Sequence, residues 1–442
     1  STDAGYISPI DHFFTAKSNG ESHFSFLHYG DCGYDNSIQN SIATLMHAER
    51  SDFGIVTGDV DQGIGNNYDA IYFNVYKDIL KNYCHFPAIG NHDTYFDNAA
   101  TYLDDFYLPT NNPQQTERYY SFNWGNSKFI CLDSNIPYTI GSDQHNWLLE
   151  ELRCNNQQWL FVFFHHPPWT NAWSADYFVP FTEYFLYQGN EDMRTDLVPI
   201  FEQYNVDFVL NGHSHCYQRG EMNGVKYVIS GGAGASTLDF NTNSDSPNID
   251  TEIYINQYVR FNIDTDTATY VCIDNSGNIV DSVFTQKLNW TPFTVDILDF
   301  DGALHATNGY SYQWYQDGNQ INGATDSTYV PTANGSYQVE VTNEFGCNFL
   351  SESYTVSNAG IPELTQSIEI YPNPARGHLI VKNHSDLYGE LYLTDVYGKS
   401  ILNLRMNAQG SIQMNVDHLS SGVYFIRIVT HVGERVERVI IE

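Results

Sequence analysis

Over residues 1–287 the chain alternates two hydrophobic rhythms. Short apolar runs in "FSFLHYGD", "FGIVTGD", "FPAIGNHD", "KFICLDS", "WLFVFFHHP", "VDFVLNGHSH" and "VKYVISGGAG" read as buried strands. Other segments carry apolar residues at helical spacing. "SIQNSIATLMHAE" places Ile38, Ile42, Leu45 and Met46 on one face behind Ser37 as N-cap. "SDQHNWLLEELRC" does the same with Trp147, Leu148 and Leu152 behind Ser142 or Asp143. Strands alternating with helices predict an α/β domain whose sheets are covered by helices.

From about residue 288 the pattern changes to short strands and turn residues without helical periodicity. In 288–358, "YSYQWYQDGNQINGATDSTYVPTANGSYQVEVTNEFGC" resembles an immunoglobulin-like domain, with Trp314 as core tryptophan and Tyr337 as tyrosine corner. Only Cys347 lies in this stretch, so the usual cysteine pair is not evident and the core rests on packing. In 359–442, "HLIVKN", "ELYLTDVYG" and "GVYFIRIV" alternate as a small antiparallel sandwich. Its "YPNP", "DVYGK" and "SGVYFIRI" resemble the C-terminal sorting domain of the type IX secretion system of Bacteroidota, over residues 366–442. That resemblance implies the type IX machinery as a partner, passage across an outer membrane, and a secreted or cell-surface location.

Composition narrows the setting. The formal net charge is −34, from 53 acidic and 19 basic residues. A surface of that sign repels nucleic-acid backbones and anionic membranes, and suits solubility in a salty extracellular medium. No apolar run approaches the ~20 residues of a membrane-spanning helix. The opening "STDAGYISP" has neither Met nor an apolar leader, and the expectation drawn from it is a form already trimmed of its signal peptide. The 7 cysteines include no CxxC pair, which argues against a disulfide scaffold or a zinc ribbon. Cys32 and Cys216 each follow a candidate ligand, and the expectation is that they stay unpaired thiols.

The candidate chemistry sits where the strands of 1–287 end. Asp31 in "HYGDCG", Asp59 in "TGDVDQ", Asn91 in "GNHD", His165 in "FFHHPP", and His213 and His215 in "NGHSH" each close an apolar run, mostly beside glycine. Sites in α/β sheets assemble at the carboxyl ends of strands. Oxygen and nitrogen donors delivered there can hold two divalent ions, with Asp59 bridging them.

This order of motifs resembles the calcineurin-like metallophosphoesterases. "ERYYSFNWGNSKFICLDS", "DQHNWLLEEL", "VPIFEQYNVDFVLNGHSHCYQR" and "YVISGGAG" narrow the resemblance to relatives of the purple acid phosphatases, over residues 22–285. It implies a four-layer αββα sandwich, a dinuclear metal centre and hydrolysis of phosphate esters. By position, it implies Asp31, Asp59 and His215 at a first metal, and Asp59, Asn91, His165 and His213 at a second. His92 would contact the substrate phosphate and assist the leaving oxygen. The nucleophile implied is a hydroxide held between the ions.

The chain departs from the family at the first metal. The iron-binding tyrosine of the "GDxxY" motif is Gln62 here, and the wider superfamily's histidine, two residues after the first aspartate, is Gly33. The Gln62 amide, a water, or His28 from the entering strand can fill the gap. Without a phenolate, divalent Zn, Mn or Fe is favoured over Fe(III), and a colourless protein is expected. The family's histidines downstream of H-x-P also lack counterparts; "WTNAWSADYF" offers Trp169, Asn171, Trp173 and Tyr177. For His166 and Arg219, substrate contact and a supporting role stay equally open.

These readings converge on a secreted phosphomonoesterase acting on small-molecule esters, followed by two all-β domains. A phosphodiesterase or nucleotidase on the same centre is the alternative within the class. An inert surface adhesin is the alternative outside it.

Overall fold

The computed structural model describes residues 15–18, 21–62, 65, 67–173, 189–236, 238–241, 246, 248–300, 302–357, 368–430 and 433–442. By its internal contacts the chain divides into Ser1–Pro292 and Phe293–Glu442. The expected break at 287/288 thus falls just short of this division, and that at 358/359 lies outside the described residues.

The strands of the first unit are β1 (His23–Tyr29), β2 (Phe53–Val56), β3 (His85–Pro87), β4 (Tyr120–Trp124), β5 (Ser127–Cys131), β6 (Trp159–Phe163) and β7 (Ala172–Trp173). They continue as β8 (Phe208–Asn211), β9 (Tyr217–Met222), β10 (Val225–Ser230), β11 (Phe240–Asn241) and β12 (Thr251–Ile253). The last are β13 (Gln257–Asp264), β14 (Thr267–Asp274) and β15 (Ile279–Gln286). One six-stranded sheet runs β15-β14-β13-β1-β2-β3, and one seven-stranded sheet runs β12-β9-β10-β8-β6-β5-β4.

Alternation along β1 shows how the layers form. Phe24 and Phe26 face the opposite sheet, whereas Leu27 and Tyr29 face the helix side. Between the sheets, the Phe26 ring meets Phe129 and Phe161 edge-on at 5.3 Å, and Phe261 meets Phe208 at 5.4 Å. Each such fully buried ring contributes roughly 1.5–3 kcal/mol relative to exposure. On the outer face of the first sheet, Ile42 and Met46 of the helix Ser37–Glu49 pack against Leu27 and Val56. On the outer face of the second, Trp147, Leu148 and Leu152 of Asp143–Arg153 pack with Met193 and Phe201. Helix, sheet, sheet, helix is the four-layer order that the family resemblance implies.

One cap differs from expectation. Asn36, not Ser37, caps the first helix, its side-chain oxygen accepting the Gln39 N–H at 2.9 Å. The Asn side chain reaches that N–H from an extended backbone, whereas Ser37 is already the first helical residue. Ser142 caps the second helix, accepting from the His145 N–H.

The second unit is all β. Ser311–Gln316 pairs with Gly335–Thr342, which puts the fully buried Trp314 opposite Val339. The Tyr337 hydroxyl donates to the Ala333 carbonyl at 2.7 Å, the corner expected of an immunoglobulin-like unit. In the C-terminal segment, Leu379, Val381, Leu391, Leu393, Ile426 and Ile428 form a separate core between a three-stranded and a four-stranded sheet. No helix among the described residues is long and apolar enough to cross a membrane.

Candidate metal centre

The loops that leave β1, β2, β3, β6 and β8 converge at one end of the sandwich. Asp31, Asp59 and His213 there adopt left-handed backbone angles, with φ of 56°, 50° and 67°. Such conformations cost on the order of 1–3 kcal/mol each and persist only where the surroundings enforce them. Backbone bonds do so here: the Asp31 N–H donates to the Gly58 carbonyl at 3.0 Å and the Cys32 N–H to the Asp59 carbonyl at 3.2 Å. Gly90 is required by close approach, since a Cβ there would lie 2.0 Å from Asp59 Oδ1.

The donors meet. Asn91 Oδ1 lies 2.9 Å from His165 Nε2 and 3.1 Å from His213 Nδ1, and those two nitrogens are 3.2 Å apart. His165 Nε2 is 3.4 Å from Asp59 Oδ2, and His215 Nε2 is 3.4 Å from Asp31 Oδ1. One atom each from Asp31, Asp59 and His165 falls within 4.8 Å of the others. The six residues named for metal binding therefore lie together. His92 is among them: its backbone N–H donates to Asp59 Oδ1 at 3.0 Å, and its Nε2 is 3.8 Å from Asp59 Oδ2.

The donor chemistry fits cations. Asp31 Oδ1 and Asp59 Oδ2 are buried and accept no hydrogen bond, which is costly for carboxylate oxygens unless a positive charge faces them. His165 Nδ1 donates to the Thr57 carbonyl at 2.7 Å, which fixes the tautomer and leaves a lone pair on Nε2. That lone pair faces the Asn91 carbonyl oxygen, another lone pair, and an ion between them resolves the conflict. The buried groups of the cluster also shift one another's titration. Burial opposes charge on His165, but the Asp59 carboxylate outweighs it and lifts the imidazole to about 9. Burial likewise pushes Asp59 up, but the His165 and His92 rings hold it at about 2. Burial raises Asp31. Burial, with His166 and His165 adding like charge, keeps His213 far below the usual imidazole range, hence neutral as a ligand nitrogen must be.

The additional candidates separate. His28 is a core residue on β1, fully buried near the Phe261 ring with Nε2 3.3 Å from Thr57 Oγ1, and burial lowers its pKa to about 3. It belongs to none of the groups close enough to share an ion among the described residues. Gln62 stays beside the first-metal loop, its backbone N–H donating to the Gly33 carbonyl at 3.3 Å and its buried side-chain nitrogen without a partner. Gly33 cannot carry a side chain in this loop, because a Cβ would lie 2.0 Å from the Val60 carbonyl oxygen. Arg219 is engaged in an ion pair, Nε to Asp281 Oδ2 at 2.6 Å. Trp169 packs edge-on against Tyr227, and Asn171 Oδ1 accepts the Ser246 N–H. Tyr177 lies outside the described residues. Cys32 and Cys216 are unpaired buried thiols, as expected.

Several supporting residues escaped the sequence reading. Asp93 accepts the N–H groups of Val60, Asp61 and Gly90 and the Tyr68 hydroxyl, tying the Asp59 loop to the Asn91 loop. Burial and the Asp59 charge raise its pKa to about 7. Asp133, ion-paired to Arg118 at 2.8 Å, holds Asn135, whose amide donates to the Ile89 carbonyl just before Gly90. Asp239 accepts the His215 N–H at 2.8 Å. The only signal for Asp93 was its place as the last letter of "GNHD"; Asp239 had none.

Residues 24–217 match the calcineurin-like phosphoesterase family, and residues 369–442 match the secretion system C-terminal sorting domain. The chain is 32% identical over 160 residues to purple acid phosphatase 13 of Arabidopsis thaliana, covering 34% of this chain and 28% of that protein. It is 31% identical over 162 residues to a purple acid phosphatase of Glycine max, covering 34% and 32%. With purple acid phosphatase 15 of Arabidopsis thaliana it shares 24% over 253 residues, covering 48% and 44%. The chain thus spans less than half the length of these relatives. A purple acid phosphatase from yellow lupin (Lupinus luteus) seeds superposes with a TM-score of 0.53 at 19% identity, over 62% of this chain and 56% of that one, and shows the shared fold.

Proposed function

Since this chain carries a calcineurin-like metallophosphoesterase domain and a secretion-system C-terminal sorting domain, we propose that it is an exported phosphatase hydrolysing small phosphate monoesters. The observation that carries this reading is the convergence of Asp31, Asp59, Asn91, His165, His213 and His215, with buried carboxylate oxygens left for cations.

In this reading Asp31, Asp59 and His215 hold one divalent ion, and Asp59, Asn91, His165 and His213 hold the other. When bound, the ions supply Lewis acidity toward a phosphoryl oxygen and activate water for in-line attack. Zn, Mn or Fe(II) suits these neutral nitrogens and hard oxygens. The chain's own residues do the rest. Asp59 is oriented by the His92 N–H, and Thr57 fixes the His165 ring. His92, only 8% exposed, stands at the edge of the cluster where an ester oxygen would leave, and there it would stabilise or protonate that oxygen. With ions held by these residues, the pocket would carry a local positive field able to attract a phosphate despite a net charge of −34. The sorting domain at 369–442 supports export to the cell surface or medium. The immunoglobulin-like segment, whose described apolar core centres on Trp314 and Tyr337, is assigned the role of a spacer.

The test is turnover by the full chain loaded with Zn or Mn. An aryl phosphate should be hydrolysed faster than a bis-aryl phosphate, and His92→Ala should lower kcat by about 100-fold or more, within the usual range for a general acid. A faster diester reaction would move the assignment to the phosphodiesterases. A protein holding two metals that hydrolyses neither ester would overturn it.

A further inference from the structure

We propose that His166 contacts the substrate phosphate directly, its Nε2–H donating to an oxygen of the group bound at the ions. This rests on the phosphoesterase reading of the same site. One nitrogen each of His165, His166 and His213 falls within 4.8 Å of the others, and the His166 ring lies 4.9 Å from His165 and 4.6 Å from His213, centre to centre. Yet His166 stands outside the tight set. His165 Nε2 and His213 Nδ1 close on Asn91 Oδ1 at 2.9 and 3.1 Å, whereas the hydrogen bonds described for His166 run to Ser134. It is also only partly buried, while His165 and His213 are buried.

Its other edge is anchored. Ser134 Oγ accepts the His166 backbone N–H at 3.3 Å and lies 2.8 Å from Nδ1. With the serine hydroxyl donating to Nδ1, a neutral ring carries its proton on Nε2. Ser134 follows Asp133, which Arg118 holds, so the anchor sits on a fixed loop. A fixed N–H donor beside the ligands, not among them, suits an oxygen bound to the ions better than an ion. The stretch after H-x-P contains no histidine, and among its described residues Trp169 and Asn171 are engaged in packing and in a loop bond.

The experiment measures binding of inorganic phosphate by calorimetry to the full chain loaded with Zn or Mn, together with metal content. His166→Ala should weaken phosphate binding by about 10-fold or more, the size expected of a hydrogen bond to a charged group, and should keep both metal equivalents. His166→Gln, which retains a donor, should recover part of the loss. Ser134→Ala should weaken binding by a smaller factor, through the ring's lost orientation. Phosphate affinity within twofold of the parent in His166→Ala would overturn the proposal. So would loss of a metal equivalent in that variant, which would make His166 a ligand, or a parent protein that binds no phosphate. Phosphate binding with the expected His166 dependence, but no ester turnover, would instead strike the phosphatase assignment alone.

Discussion

The two sides of the candidate metal cluster are built to different densities. On the second side, Asn91, His165 and His213 lie within 2.9–3.2 Å of one another, with Asp59 Oδ2 at 3.4 Å. On the first side, Asp31 and His215 stand 3.4 Å apart, and the two positions where relatives would add an anchor hold Gly33 and Gln62. The loop there is closed by backbone instead: Gly33 and Cys32 N–H groups both donate to the Asp59 carbonyl. Ion affinity follows the number and charge of donors, so the same fold should hold one ion firmly and the other loosely.

Breaking the shared residue should have the largest effect. Asp59→Ala removes a donor from both sides and is expected to abolish binding of both ions, with turnover falling by at least about 1,000-fold; metal content and kcat check it together. Restoring a phenolate should reverse the asymmetry: Gln62→Tyr loaded with iron should gain a visible charge-transfer band, while the parent stays colourless, and a purple parent would contradict the ligand assignment. Gly33→Ala should destabilise the fold by about 1–3 kcal/mol in denaturant unfolding, because its Cβ has a backbone oxygen 2.0 Å away.

A further prediction tests the packing around His85. Burial holds His85 neutral in the fold, lowering its pKa to about 3, while Tyr29 and Tyr72 hydroxyls lie 2.9 and 2.7 Å from its Nδ1. In the unfolded chain this ring protonates near its ordinary value of 6.5. The unfolded state therefore binds the extra proton as pH falls from 6.5 toward 3, and stability drops over that window by up to about 1.4 kcal/mol per pH unit. His85→Gln should flatten the acid limb of a stability-against-pH curve by that one proton; an unchanged slope would contradict the assignment.

How much of this was legible in the sequence depends on where the information lies. The apolar run in "FSFLHYGD" made β1 readable, and strand-terminal residues such as Asp31 and Asn91 were readable because each ends such a run. The antiparallel strands β13 to β15 were less so, since "QYVRFNID" mixes inward Val259 and Phe261 with polar partners and carries no chemistry at its ends. Supporting contacts were not legible at all. Asp93 bonds residues about 30 positions away, and Asp239 reaches His215 past the whole β9–β10 hairpin. Such pairings are set by the converging loops, not by local pattern. The Ser37 expectation failed by one residue because Asn and Ser are both good caps and only the backbone angle at Asn36 decides between them.

Titrating metal-free full-length protein with Zn or Mn, followed by calorimetry with metal analysis, tests the central claim most directly. Two equivalents should bind in separable steps, with His215→Ala removing the weaker step and His213→Ala the tighter one. A single step untouched by either substitution, or no binding, would contradict a centre built from these residues.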